Sequence, residues 1–126
     1  MTERYLLGVD IGTSGSTGIM IDPELTVVES VSVKHDTAVP KPGWAEHDAD
    51  DIWWSDFTEI TRKLLAETTI SADQIAGVGV SALHAAMLPL DERGEPLRPA
   101  ILYGVDTRSG EEIELLNGYT KRVGTL

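Results

Sequence analysis

The chain has 126 residues, 41% of them hydrophobic and none a cysteine, and its 21 acidic against 10 basic side chains give a formal net charge of −11. That is room for one domain with a core; it excludes a disulfide framework and a thiolate metal site, and it argues against nucleic acid or an anionic membrane as the main partner, because clustered Lys and Arg bind those. No apolar run approaches the roughly 18 residues of a membrane span and the start carries no leader, so the expected compartment is the cytoplasm.

In chain order, residues 5–9 form a short apolar run that enters the stretch Gly8-Val9-Asp10-Ile11-Gly12-Thr13-Ser14-Gly15-Ser16-Thr17-Gly18. A second apolar run, 18–21, is closed by the turn starter Asp22-Pro23, so two strands joined by a glycine-rich loop are expected. Residues 27–34 set Val31 and Val33 against Ser30, Ser32 and Lys34, the period-2 pattern of a half-covered strand. After Pro40-Lys41-Pro42-Gly43, three aspartates at 48, 50 and 51 precede Trp53, Phe57, Ile60 and Leu64. That 4-3-4 spacing is one helical face, with acids at its electropositive start.

Ser71-Ala72-Asp73-Gln74 fits the capping box of a short turn, and 75–83 reads as a buried strand with Gly77 and Gly79 for close packing. Residues 87–90 and 100–103 flank a polar loop, 91–96, as a hairpin. Ser109-Gly110-Glu111-Glu112 then opens a helix bearing Ile113 and Leu116, which Asn117-Gly118 closes. A three-strand antiparallel meander, a helix crossover and a further strand predict an α/β fold: a mixed sheet flanked by helices.

Asp10 stands where a strand meets that glycine-rich loop. A lone Asp there is commonly a turn former or a cap. The surrounding Gly12, Thr13, Ser14, Gly15 and Ser16 favour another reading, since small hydroxyl and glycine residues present N–H and O–H donors to phosphate oxygens without obstruction. A carboxylate beside phosphate needs a cation between them, which points to magnesium held through water. No Gly-Lys-Ser/Thr follows, and a strand rather than a helix comes next, so the loop is of neither the Walker nor the dinucleotide type.

These residues resemble the first phosphate motif of the actin, Hsp70 and sugar-kinase superfamily. Pro42-Gly43-Trp44-Ala45-Glu46-His47-Asp48 with Trp53-Trp54, Ile75-Ala76-Gly77-Val78-Gly79-Val80-Ser81, Leu90-Asp91, and Arg98-Pro99-Ala100-Ile101-Leu102-Tyr103 with Asp106-Thr107-Arg108 are similar to segments of the FGGY carbohydrate kinases, nearest the xylulokinase-like members. The resemblance implies a ribonuclease H-like, actin-like ATPase domain of which residues 1–126 are the amino-terminal part, with ATP and Mg2+ as cofactors. It implies phosphoryl transfer to a small sugar or polyol, such as xylulose or a related ketopentose. A non-catalytic actin-like nucleotide-binding or assembly module is the alternative.

Carried over by position, Gly12, Thr13, Ser14 and Gly15 contact the nucleotide phosphates and Asp10 organises hydrated magnesium. Tyr103 packs on the sugar or serves as core. Asp106 accepts sugar hydroxyls or caps the following helix, and Arg108 pairs with a neighbouring acid. The three tryptophans are read as packing. Thr17 replaces a basic residue of many relatives, and Ser81-Ala82-Leu83-His84-Ala85-Ala86 shifts the family's histidine by one, so that His84 is a sugar contact from a new angle or a buried, satisfied histidine. The adenosine motif, the second phosphate motif and the catalytic base belong to parts of the family outside these residues, so the segment by itself is expected to be inactive. It is also expected to expose apolar patches and to pair as a homodimer.

Overall fold

The computed structural model describes residues 3–123; residues 1, 2 and 124–126, the first two of which belong to the start read above for a leader, lie outside the described residues. Three antiparallel strands come first: β1 (Tyr5–Ile11), β2 (Gly15–Ile21) and β3 (Val27–Lys34). A helical segment follows, wound as a π-helix over Ala49–Trp54 and as α1 over Ser55–Ala66. A 3-10 turn, Ala72–Gln74, leads into β5 (Ile75–Ala82), while β4 (Glu46–His47) and β6 (Ala100–Ile101) form a separate small sheet. The chain closes with α2 (Gly110–Val123).

The main sheet has the order β3-β2-β1-β5, with β5 parallel to β1, so it is the mixed sheet expected from the order of elements. Alternation sorts its faces. Leu7, Val9 and Ile11 of β1, Met20 of β2, and Val31 and Val33 of β3 point to one side, where Ile60 and Leu64 of α1 cover them. Asp48 starts the helical segment as expected, its carboxylate accepting from the N–H groups of Asp50 at 3.0 Å and Asp51 at 2.9 Å. Gly18 lets α1 lie directly on β2: a Cβ there would sit 2.1 Å from Ile60 Cγ2 and 3.2 Å from Leu64 Cδ1.

Four expectations change. The glycine-rich loop is shorter than its sequence suggests, because the β1–β2 ladder runs on through Asp10↔Thr17 to Ile11↔Ser16 and leaves only Gly12, Thr13 and Ser14 as the turn. The β5 strand is not buried: it is a sheet edge beyond the reach of α1, and Val78 and Val80 are 54% and 61% exposed. The expected hairpin reduces to single bridges, Met87↔Ile101 and Leu90↔Pro96, since Pro89, Pro96 and Pro99 lack ladder donors; β6 pairs instead with β4. Asn117-Gly118 does not close α2, which continues to Val123. An interior glycine costs a helix only ~1 kcal/mol relative to alanine.

Candidate functional site

The turn at 12–14 is closed by a hydrogen bond from Gly12 N–H to Gly15 C=O at 2.9 Å. Both glycines are dictated by crowding, for a Cβ on Gly12 would lie 2.8 Å from Gly15 O and one on Gly15 2.6 Å from Val33 O. Thr13 and Ser14 are exposed at its tip. Asp10 is not in the turn; it sits near the carboxyl end of β1, exposed on the uncovered face, flanked by Thr17 across one ladder and Ser81 across the other. A concavity of about 550 Å³ opens there, lined by Gly8, Asp10, Thr17, Ile19, Gly79 and Ser81. The structure thus brings Asp10, Gly12, Thr13, Ser14 and Gly15 to one end of the sheet, the carboxyl end of a parallel strand pair, where open α/β sheets bind ligands.

Behind the turn lies a buried polar cluster. His35 Nε2 is 3.0 Å from Gly12 O and its Nδ1 is 2.6 Å from Asp56 Oδ2, which also accepts from Ser16 Oγ at 2.6 Å. His47, fully buried, places Nε2 3.2 Å from Thr13 O and 3.1 Å from Thr37 Oγ1, and receives Trp53 Nε1–H on Nδ1 at 3.0 Å. Thr37 donates to Thr13 O at 3.0 Å. The two imidazoles meet edge to face, 4.9 Å between centroids. Burial above all, and His35 next to it, lower the pKa of His47 below the ordinary histidine value.

On the other side of β4, Glu46 receives Arg108 Nη2 at 2.8 Å and also Arg98. Arg108 holds both oxygens of Asp106 and stacks over Trp44 at 3.8 Å from the ring centroid, so it is no loose surface pair. Asp106 accepts further from Ala45 N–H at 2.7 Å and from Arg108 N–H at 3.0 Å, and the Arg108 guanidinium holds its carboxyl well below the usual carboxylate range. A sugar hydroxyl would have to share those oxygens with protein donors. Tyr103, 72% exposed, is not core within this chain. His84 is exposed rather than buried and satisfied, just past Leu83, whose N–H bonds Ile11 O at the turn end of β1. The Met87↔Ile101 bridge sets the segments of His84 and Tyr103 side by side.

Sequence reasoning passed over His35, Thr37 and Asp56 and saw His47 only inside a motif. One signal was present: Asp56 lies four and eight residues before Ile60 and Leu64, an acid on the apolar stripe of α1. Among the described residues no group of three or more His, Cys, Asp or Glu is placed so that it could hold a metal ion. A single open carboxylate beside a space of this size fits magnesium, which keeps most of its waters and takes one or two carboxylates plus substrate phosphates. Among the described residues no helix is long and apolar enough to cross a membrane.

Residues 5–123 match the amino-terminal domain of the FGGY family of carbohydrate kinases. The chain is 36% identical over 110 residues to a xylulose kinase of Staphylococcus xylosus, covering 87% of this chain and 22% of that protein. It is 37% identical over 114 residues to a glycerol kinase of Listeria monocytogenes, covering 90% and 22%. The crystal structure of a xylulose kinase from Rhodospirillum rubrum superposes with a TM-score of 0.80 at 33% identity, over 93% of this chain and 24% of that one. The fold is the ribonuclease H-like one of the actin-like sugar kinases, and the chain spans about a fifth of the length of the curated relatives it matches.

Proposed function

Since the chain belongs to the FGGY family of carbohydrate kinases, we propose that the protein carrying it transfers the γ-phosphate of ATP to a hydroxyl of a small sugar or polyol, with xylulose or a related ketopentose as the acceptor. The observation that carries this reading is the juxtaposition of an open turn, Gly12 to Gly15, with the exposed Asp10 carboxylate at one end of the sheet. The turn receives phosphate oxygens on backbone N–H and on the hydroxyls of Thr13 and Ser14. Asp10 would hold hydrated magnesium, which supplies the positive charge that lets a carboxylate and phosphates share the site. Thr17, hydrogen-bonded to Ser32 at 2.9 Å, contributes a neutral wall where a cation would otherwise stand.

On the acceptor side, Tyr103 offers an aromatic face to the carbon skeleton and His84 a ring nitrogen to a hydroxyl. Asp106 works chiefly by holding Arg108 and the Ala45 backbone, and so the β4–β6 unit, in place. Residues 1–126 form part of the first domain, and the adenosine contacts and the base that takes the hydroxyl proton come from elsewhere in the longer protein, leaving the isolated segment without turnover. The test is ATP consumption by the full-length protein across a panel containing xylulose, ribulose, glycerol and gluconate. Turnover with a ketopentose, falling roughly 100-fold or more in Asp10→Asn, supports the reading. Unchanged turnover in Asp10→Asn removes the assigned role of the carboxylate.

A further inference from the structure

The partners of the two buried histidines fix where their protons lie. Trp53 Nε1 can only donate, so His47 Nδ1, 3.0 Å away, carries no hydrogen. His47 is therefore the neutral Nε2–H tautomer, directed at Thr13 O and Thr37 Oγ1, in keeping with its lowered pKa. His35 meets acceptors on both sides: the carbonyl of Gly12 at Nε2, and at Nδ1 the Asp56 oxygen that already accepts from Ser16. A hydrogen on Nε2 is what lets the ring hold the Gly12 carbonyl, while Asp56 anchors the ring from its other side. The titratable groups packed against His47 are His35, just after β3, and Asp56 on α1.

A trans peptide is planar, and its C=O and N–H point in opposite directions. Holding the carbonyls of Gly12 and Thr13 inward therefore turns the N–H groups of Thr13 and Ser14 outward. Among the described residues neither N–H has an acceptor in the chain. We propose that His35 and His47 are positioning residues that fasten the turn from behind by these two carbonyls, pre-setting the Thr13 and Ser14 N–H groups to receive the phosphates of the nucleotide. This rests on the reading of the turn as a phosphate site.

The experiment uses the full-length protein. His35→Ala and His47→Ala are each expected to raise KM for MgATP about tenfold, the effect of one lost hydrogen bond to an ordered group, and to leave KM for the sugar within about twofold. His47→Gln, which keeps an N–H donor, restores most of the loss, and His47→Phe does not. Equal changes in both KM values, or a lowered active fraction with both unchanged, overturn the proposal. If the alanine variants do not fold, histidine-selective ¹⁵N spectra of the unaltered protein decide: a proton on His47 Nδ1, or a His35 Nε2 that carries none, overturns it, and a proton on Nε2 of both rings supports it. MgADP that moves the Thr13 and Ser14 amide resonances equally in the unaltered protein and in His47→Ala defeats the clamp alone. MgADP that moves neither in the unaltered protein defeats the phosphate reading, and the clamp with it.

Discussion

Gly18→Ala puts one methyl group where α1 rests on β2. The added carbon would stand 2.1 Å from Ile60 Cγ2, against the 3.5–4.0 Å of an ordinary carbon contact, an overlap of about 1.5 Å. Ile60 is fully buried and β-branched, so its χ1 is held in the helix and the methyl cannot swing aside. The helix must lift instead. Overpacking of this kind costs about 1–3 kcal/mol, and the severity of the overlap puts Gly18→Ala at the upper end even after the few tenths regained from a stiffer unfolded chain. Lifting α1 also draws Asp56 away from His35 and Ser16, so weaker MgATP binding should accompany the lower stability. Urea denaturation of Gly18→Ala, Ile60→Ala and the double variant measures the coupling: Ile60→Ala alone should cost about 2–5 kcal/mol, and the pair should cost less than the sum by about 1–3 kcal/mol. Additive losses, or a Gly18→Ala variant within 0.5 kcal/mol or so of the parent, would refute the contact.

Asp56→Ala removes the anion of a buried pair and leaves His35 and Ser16 without their acceptor, an expected loss of about 3–5 kcal/mol in urea denaturation. His47 has its folded-state pKa lowered, so between that value and the unfolded value of about 6.5 the unfolded chain binds more protons; stability should fall on acidification through this window, and the fall should be shallower in His47→Gln when thermal midpoints are compared at pH 7 and below. Leu25 holds a φ of 64° in the tight turn after β2 and is 73% exposed, so Leu25→Gly should raise stability by up to about 1 kcal/mol, and a loss would show that its side chain contributes more than its backbone costs.

Much of the fold could be read because period and burial agree. Val31 and Val33 alternate with serines and do face the core; Ile60 and Leu64 lie on the helical stripe and are wholly buried. Two of the misreadings share a cause, since each depends on a neighbour that local sequence does not encode. The apolar run at 75–83 looks like a covered strand until the span of α1 is known. The length of the glycine-rich turn was hidden by Ser16 and Thr17, which look like loop residues but pair in the β1–β2 ladder. At the site, Asp10, Thr13 and Ser14 were legible from residue chemistry. The commitments of Asp106 were not, because its partners include Ala45, 61 positions earlier.

The two-residue strand β4 carries a consequence for how the protein comes to be made. Its two residues, Glu46 and His47, face opposite ways, one to Arg108 at a separation of 62 residues and the other to Thr13 at 34. Contacts so far apart along the chain close slowly, because loop entropy must be overcome before they form. On the ribosome, β1, β2, β3 and α1 can pack as soon as Leu64 emerges, whereas Glu46 stays a carboxylate without Arg108 until some forty further residues have followed.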